Sequence, residues 1–289
     1  MEEVNDVDAS GRSGGAPDSR QILVTFLGSI VRRMGNWMPI SGTVELMGQL
    51  GVDGSGVRTA VFRLKKRGWV ESESRGGVRG YVLTEAASHA LAAGDELIWH
   101  ARQPAELSDG WCVVNFSVPE SKRALRHQLR TRLTALGFGN LGSAVWIAPA
   151  RMHRAAREAI DEVGLTQQSA VFVGEYAGGP ELTALVRELW DLDEIDRGYR
   201  TFTATHEAAY DRFERTRMLN GLDAFVTYLS VVNHWRKLPF RDPGLPLELL
   251  PKDWAGPAAG ELFEHIVQIL EGRALAHAAA SWPDAVVAS

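Results

Sequence analysis

The chain has 289 residues, of which 45% are apolar and 23% charged, and its formal net charge is −5. This composition is that of a globular protein and excludes a disordered or fibrous chain, while the length predicts two or three packed units. No run of eighteen apolar residues occurs and no apolar segment follows a basic amino terminus, so we expect no membrane span, no secretory signal and a cytoplasmic protein.

Residues 1–19 are rich in Gly, Ser and Asp and are predicted to form a disordered tail, after which three helices follow. Apolar residues recur at helical spacing over residues 21–34, and a second short helix begins at residue 41 or 42. The glycine-rich stretch 51–56 is predicted to be a turn, with Ser55 placed to cap the third helix. Gly68 ends that helix.

The third helix, residues 57–67, has two different faces. Advancing 100° per residue puts four apolar side chains on one stripe, which should pack inward: Val57, Ala60, Val61 and Leu64. The opposite face and its flanks carry Arg58, Thr59, Phe62, Arg63, Lys65 and Lys66. Residues 57–81 hold seven basic residues against two acidic ones, and such a local excess is typical of a confined phosphate-binding surface.

A hairpin follows, with strands at 69–74 and 81–83 around a glycine-rich tip at 75–80. Three helices and such a hairpin predict a winged helix-turn-helix, whose third helix lies in the major groove of double-stranded DNA while wing arginines approach the backbone or minor groove. The predicted DNA-binding residues are Arg58, Thr59, Phe62, Arg63, Lys65, Lys66, Arg75 and Arg79.

Two points in this unit stay open. The basic face of the third helix could be a solvated surface without a partner, although the turn before it and the wing after it favour DNA. Phe62 could meet a thymine methyl group or a neighbouring protein surface, or it could pack against the wing. A further helix, from residue 85 to about 102, could join this unit to the rest of the chain, and linking helices of this kind often help to form a dimer.

The middle of the chain alternates strands and helices, with strands at 111–118, 143–148 and 169–176, helices at 119–136 and 152–163, and one more short strand near 138–141. This order predicts a ferredoxin-like α+β domain. Cys112 lies in an apolar strand and is expected to be a small buried side chain rather than a reactive thiol.

A metal-dependent nuclease is the main alternative function, because small endonucleases of CRISPR adaptation share the ferredoxin-like fold. Those enzymes hold a metal with an aspartate at the end of the first strand, where this chain has Asn115-Phe116-Ser117. His127 and His153 lack companions at ligand spacing, so no metal site is predicted. No phosphate loop, nucleophile elbow or HExxH motif occurs in the chain, so we expect neither an enzyme nor a cofactor.

The remaining residues show helical periodicity, interrupted by a segment at 234–254 that is dense in proline and aromatic residues and is predicted to be a rigid loop. The predicted fold class is therefore α+β. It comprises a winged helix-turn-helix with its linking helix (20–104), a central ferredoxin-like domain (105–180) and a C-terminal, mostly helical domain (181–289).

Two sets of residues resemble one known family. The first runs from Pro239 to Pro246 and continues with Leu249-Leu250-Pro251 and Asp253-Trp254; the second comprises residues 57–64 with Gly68-Trp69. Over about residues 20–270 the chain is similar to the PaaX regulators of phenylacetate degradation. The resemblance implies a homodimeric repressor that binds a palindromic operator and releases it when phenylacetyl-CoA accumulates. A transcriptional activator would share the same DNA contacts.

An aryl acyl-CoA effector presents phosphates, which bind Arg or Lys, and an aryl group, which prefers an aromatic pocket. One short segment offers both kinds of side chain, so the predicted effector-binding residues are Trp235, Arg236, Lys237, Phe240, Arg241 and Trp254. The alternative is that this loop only holds the C-terminal helices together.

Overall fold

The computed structural model describes residues 19–99, 103–215 and 220–282. The predicted tail lies outside the described residues except for Ser19, which begins the first helix, and so do the last three residues of the predicted linking helix. None of the helices in the described ranges is long and apolar enough to span a membrane.

The amino-terminal part is a winged helix, as predicted. Its elements in chain order are α1 (Ser19–Ser29), β1 (Trp37–Pro39), α2 (Ile40–Gln49), α3 (Gly54–Lys66), β2 (Val70–Arg75), β3 (Val78–Leu83) and α4 (Glu85–Trp99), with a 3-10 turn at Val31–Met34. The three strands form one antiparallel sheet in the order β1-β3-β2. The four apolar residues of the predicted inward stripe of α3 are all buried, which confirms the amphipathic interpretation of this helix.

The wing differs from the prediction in two ways. The strands run on to Arg75 and Val78, because Gly76 and Gly77 at positive φ form a two-residue turn rather than a six-residue tip. The sheet also contains β1, a strand that was not predicted. Its presence explains why residue 80 is a glycine, because a Cβ atom there would lie 2.4 Å from the Trp37 ring. Gly80 therefore belongs to the sheet and lets Trp37 pack across it.

The predicted cap of α3 was wrong. The N-cap is Asp53, whose side chain accepts a hydrogen bond from the Gly56 N–H at 3.0 Å. Ser55 lies inside the first turn and donates its hydroxyl to the same carboxylate. These hydrogen bonds hold the pKa of Asp53 below its usual range, so a negative charge stays at the amino end of α3.

The middle of the chain has the predicted ferredoxin-like fold. Its elements are β4 (Trp111–Phe116), α5 (Arg123–Ala135), β5 (Gly139–Gly142), β6 (Val145–Pro149), α6 (His153–Val163) and β7 (Ser169–Gly174), and the antiparallel strands lie in the order β5-β6-β4-β7. Both helices pack on one face of this sheet. Cys112 is fully buried there, and burial raises the pKa of its thiol to about 11, as expected for an unreactive side chain.

The carboxyl-terminal part is helical, as predicted, with α7 (Leu182–Leu189), α8 (Leu192–Arg215), α9 (Gly221–Trp235) and α10 (Gly256–Ala280). The Pro-rich loop, residues 236–255, joins α9 to α10 and contains only a short 3-10 turn at Leu247–Leu249. The loop contains no α-helix or β-strand, as its prolines predicted.

The winged helix and the carboxyl-terminal helices share one hydrophobic core. Phe26 of α1 meets Phe225 of α9 edge to face at 6.4 Å, and Trp37 meets Trp282 at 6.2 Å. Leu27 and Val61 belong to the same buried cluster as residues of α9 and α10. The ferredoxin-like domain has a core of its own, so the first and last parts of the chain pack together although that whole domain lies between them in sequence.

A pair of histidines, one buried and one half-buried, lies between α8 and α9. His206 is 5% exposed, its Nε2 lies 3.1 Å from His234 Nδ1, and the Phe202 ring packs on both imidazoles. Burial, and then the nearby His234, lower the pKa of His206 to about 4. Burial, and then Lys237, also lower the pKa of His234.

We expect this pair to make the fold sensitive to mild acid. The folded state holds His206 neutral, so its contribution is complete above the unfolded pKa near 6.5 and is lost as pH falls toward 4. Between pH 7.5 and 5 the loss is about 2 kcal/mol. Urea unfolding at both pH values measures it, and His206→Gln should lose much less over the same interval. Equal losses in the two proteins would contradict the assignment.

Candidate functional site

The outer face of α3 is exposed along its length. Six of the predicted DNA-binding side chains lie on it and are all exposed: Arg58, Thr59, Phe62, Arg63, Lys65 and Lys66. No acidic side chain occurs within α3, and its last turn holds Arg63, Lys65 and Lys66. This face can therefore present hydrogen-bond donors and positive charge to a polyanion without competition from carboxylates of its own helix.

Two of these basic side chains are already oriented by local contacts. Lys65 donates from Nζ to the Ser72 hydroxyl at 2.8 Å, which ties α3 to β2 of the wing. Arg58 donates to the Gly54 carbonyl at 3.2 Å, one turn back along its own helix. Both contacts are exposed, so either side chain can leave them for a phosphate or a base at small cost.

Phe62 is 66% exposed, the most exposed of the large apolar side chains in the described part of the chain. Such exposure does not support packing against the wing, one of the interpretations left open by the sequence. A large apolar ring on an otherwise charged face is unusual unless it meets another apolar group, such as a thymine methyl.

The two wing arginines are placed differently. Arg79 is exposed on β3, where it can reach a ligand lying along the wing. Arg75 turns back toward the protein: it forms an ion pair with Glu73 and lies over the Trp37 ring at 5.4 Å. Arg75 would have to leave both partners to contact DNA.

A cleft of about 750 Å³ lies where the three parts of the chain meet. Four of the six predicted effector-binding residues line it: Arg236, Lys237, Phe240 and Arg241. Opposite them are Thr131, Thr134 and Phe138 of the ferredoxin-like domain and Gln21 of α1. Its size and its mixture of aromatic, hydroxyl and basic groups are those of a pocket for an organic anion.

Arg236 connects this cleft to the winged helix. Its side chain is largely buried, and Nε donates to the Thr25 hydroxyl of α1 at 2.8 Å. That hydroxyl also bonds Asn233 of α9 at 2.8 Å. A ligand touching Arg236 would therefore act directly on the contact between α9 and α1.

The other two predicted effector residues lie elsewhere. Trp235 is 1% exposed and donates its Nε1–H to the Ile98 carbonyl at 2.8 Å, so it acts as a core residue. Trp254 is half-buried and meets Tyr199 edge to face at 6.1 Å. Both border a second, smaller cleft of about 330 Å³, separate from the first.

The Pro-rich loop also contacts the carboxyl-terminal helices, as in the alternative that the sequence left open, and the ferredoxin-like domain as well. Asp242 is buried, accepts a hydrogen bond from Tyr199 at 2.9 Å and bonds the Gly244 N–H at 2.7 Å. The Gly244 carbonyl in turn accepts from Arg151 of the ferredoxin-like domain at 2.8 Å. Burial lowers the pKa of Arg151, and the nearby carboxylates of Asp242 and Asp109 oppose this shift.

No group of three or more His, Cys, Asp or Glu side chains that could hold a metal ion is found within residues 19–99, 103–215 and 220–282. The end of β4, where the nuclease alternative needs a carboxylate, carries Asn115.

The fold and its exposed basic helix define a winged-helix protein with a ferredoxin-like domain and a helical domain. Three family models match it in order: PaaX-like protein over residues 18–87, the PaaX protein central Cas2-like domain over 104–186 and the PaaX-like protein C-terminal domain over 190–280. The chain belongs to the PaaX family.

Two known proteins are similar over most of the chain. The transcriptional repressor PaaX of Escherichia coli (strain K12) is 28% identical over 277 residues, which are 94% of this chain and 84% of that protein. The solved structure of the uncharacterized protein Rv0674 from Mycobacterium tuberculosis superposes with a TM-score of 0.58 at 21% identity, over 90% of this chain and 98% of that one. The second likeness concerns the fold alone.

Proposed function

We propose that this protein is a transcriptional repressor of an aromatic-acid catabolic operon, of the phenylacetate type. The observation that carries the proposal is the outer face of α3, on which six candidate contact residues are exposed and no acidic side chain occurs. In a winged helix this is the face that enters the major groove, where Arg and Lys bind guanine and phosphate. The name of the Escherichia coli relative supports repression.

The candidate contacts divide into two kinds. Arg58 and Thr59 in the first half of α3 and Arg63 in its last turn are proposed to reach base edges, with Phe62 beside a thymine methyl. Lys65 and Lys66 at the end of the helix and Arg79 on the wing are proposed to bind phosphates. A homodimer would present two such faces to half-sites about 34 Å apart, or a multiple of it.

For the effector we propose an aryl acyl-CoA such as phenylacetyl-CoA, bound in the 750 Å³ cleft. Phe138, Trp190 and Phe240 supply aromatic surface there for the aryl group. Lys237 and Arg241 supply positive charge for the CoA phosphates. Arg241 already forms an ion pair with Glu194 at 3.3 Å, and a phosphate would compete with that exposed carboxylate.

Release of the operator follows if the ligand favours a conformation in which α1 has moved. The ligand would do so by drawing Arg236 away from Thr25, and α1 packs against α3 within the shared core. A typical coupling of about 1–3 kcal/mol lowers operator affinity by roughly five- to 150-fold.

The direct test is an electrophoretic mobility shift with DNA from upstream of this protein's own and adjacent genes. A specific shift that phenylacetyl-CoA abolishes supports the whole proposal. A specific shift that is indifferent to the ester leaves the DNA role and rejects this effector. No specific shift, or degradation of the DNA in magnesium, rejects the repressor.

The cleft residues can be tested separately from the DNA face. Replacing Lys237 and Arg241 together by Gln should raise the concentration of phenylacetyl-CoA that releases half of the operator by about tenfold or more, because the variant cannot form two charge-assisted hydrogen bonds to the phosphates. Operator affinity without the ester should not change. Lys252→Gln removes one charge from the same loop outside the cleft and is the control for position. An unchanged ester response in the double variant would place the effector elsewhere.

A further inference from the structure

A second basic region lies in the ferredoxin-like domain and is longer than the one around α3. Between Ser121 and Arg157 the sequence contains no Asp or Glu, although the whole chain has 36 acidic residues in 289. The same stretch holds eight basic residues, namely Lys122, Arg123, Arg126, Arg130, Arg132, Arg151, Arg154 and Arg157. An uninterrupted block of one charge in an acidic protein indicates an anionic partner or an unusually polarised surface.

The fold gathers most of these charges on one surface. Helices α5 and α6 pack side by side on the sheet through Leu129, Leu133 and Ile160, which directs their other sides to solvent. On those outer sides, four arginines are exposed: Arg123, Arg130, Arg154 and Arg157. We call this surface the α5–α6 basic face.

Neighbouring carboxylates neutralise only part of the positive charge of the α5–α6 basic face. Glu120 serves two arginines, bonding Arg126 at 2.9 Å and lying 3.9 Å from Arg123. Glu162 pairs with Arg132, which is not among the four exposed arginines. Arg130 lies over the Trp146 ring at 6.0 Å, a contact that leaves its charge uncompensated. Two further carboxylates of α6, Glu158 and Asp161, are also exposed. Lys122 and the six arginines of α5 and α6 still outnumber these four carboxylates, so the face is net positive.

The α5–α6 basic face is connected to the candidate DNA-binding helix. At the amino end of α3, a Cβ built on Gly56 would lie 3.7 Å from Ser19, the first residue of α1. Two residues further along α1, Gln21 lines the same cleft as Thr131 and Thr134 in the last turns of α5. The amino end of α3 and the carboxyl end of α5 thus both lie near the start of α1.

We propose that the α5–α6 basic face binds the phosphate backbone of duplex DNA that flanks the site bound by α3. The inference rests on the proposed DNA-binding function and adds to it a sequence-independent contact outside the winged helix. Exposed arginines suit phosphate oxygens, and such contacts strengthen binding on any sequence. An acidic protein would also fit the charge, but the link to α3 through α1 favours DNA.

The test uses the full chain and one triple variant, R123Q/R130Q/R157Q. Gln keeps the helix propensity, and all three side chains are exposed, so the fold should not change. The matched control, R187Q/R197Q/R215Q, removes three exposed charges from α7 and α8. Binding is measured over a series of salt concentrations to a short operator duplex, to the operator extended on both sides, and to a scrambled duplex of the extended length.

The wild-type protein and the control should bind the extended operator more tightly than the short one, and the triple variant should lack that preference. On the extended and scrambled duplexes the slope of log K against log salt should fall by about 0.9 for each phosphate that the variant no longer neutralises, thus by up to about 2.7. A triple variant with the wild-type slope on both duplexes overturns the proposal. So does one that changes only the response to phenylacetyl-CoA, since the phosphates recognised would then be those of the effector.

If the repressor proposal itself is wrong, the binding data differ from those of a failed α5–α6 proposal. If the wild-type protein binds operator and scrambled duplex equally and the triple variant weakens both, the α5–α6 basic face binds DNA while operator recognition by α3 is rejected. If the wild-type protein binds no duplex, both proposals are rejected.

Discussion

Replacing Arg58 and Arg63 together by alanine should abolish specific operator binding at concentrations where the wild-type protein is saturated. Each arginine that reads a base contributes about 1–3 kcal/mol. Together they account for about 2–6 kcal/mol, which corresponds to an affinity at least about thirtyfold weaker. Both side chains are exposed, so the core is untouched and the folded fraction should be unchanged.

The measurement is a binding titration with the operator and with a scrambled duplex of equal length, accompanied by circular dichroism. The double variant should bind the two duplexes almost equally, because its remaining basic side chains still bind the phosphates. Alanine at Arg187 and Arg197, two exposed arginines of α7 and α8, removes the same charge and should leave the preference for the operator intact. A double variant of α3 that still prefers the operator would show that another element reads the bases.

Trp235→Ala should be the most destabilising single substitution among the predicted site residues. The indole stacks on Phe263 with ring centroids 4.7 Å apart, lies 5.2 Å from Phe202, and donates to the Ile98 carbonyl. Truncation leaves a large cavity and an unpaired carbonyl, and substitutions of this kind cost about 3–5 kcal/mol. Because native proteins are marginally stable, much of the variant should be unfolded at modest urea concentrations.

Urea unfolding followed by circular dichroism measures this destabilisation. Trp235→Phe retains most of the stacking and removes only the N–H donor, so it should cost about 1–2 kcal/mol. Phe62→Ala removes an aromatic ring that is exposed and should change stability by less than about 0.5 kcal/mol. If Trp235→Ala unfolds at the wild-type urea concentration, the shared core does not depend on this residue.

Local sequence patterns predicted the elements whose periodicity is strong. The two faces of α3 follow from helical spacing alone, and the alternation of strands and helices in the middle of the chain was sufficient for the ferredoxin-like fold. The second wing strand was predicted too short because three glycines in residues 75–80 resemble a loop, whereas Gly80 lies within that strand beside Trp37. β1 was not predicted because it has three residues, too few to show an alternating pattern of apolar and polar side chains.

Contacts between distant parts of the chain could not be predicted in this way. Periodicity places Arg236 at the end of a helix, but that its guanidinium reaches Thr25, 211 residues earlier, depends on how α1 and α9 pack. The same packing separates Trp235 and Trp254 from the cleft lined by their neighbours. The α5–α6 basic face, by contrast, has a plain signal in the sequence, since the positions of the acidic residues along the chain reveal the gap at 121–157.

The shared core means that the winged helix is not a portable module. A fragment ending after α4 would expose Phe26, Leu27 and Trp37, which the intact chain buries partly against α9, α10 and Trp282. Such a fragment should aggregate, and a chimera that grafts this winged helix onto another regulator should fail unless α9 and α10 are transferred with it. Mutations that weaken the carboxyl-terminal helices will, for the same reason, impair DNA recognition without touching a DNA-contacting residue.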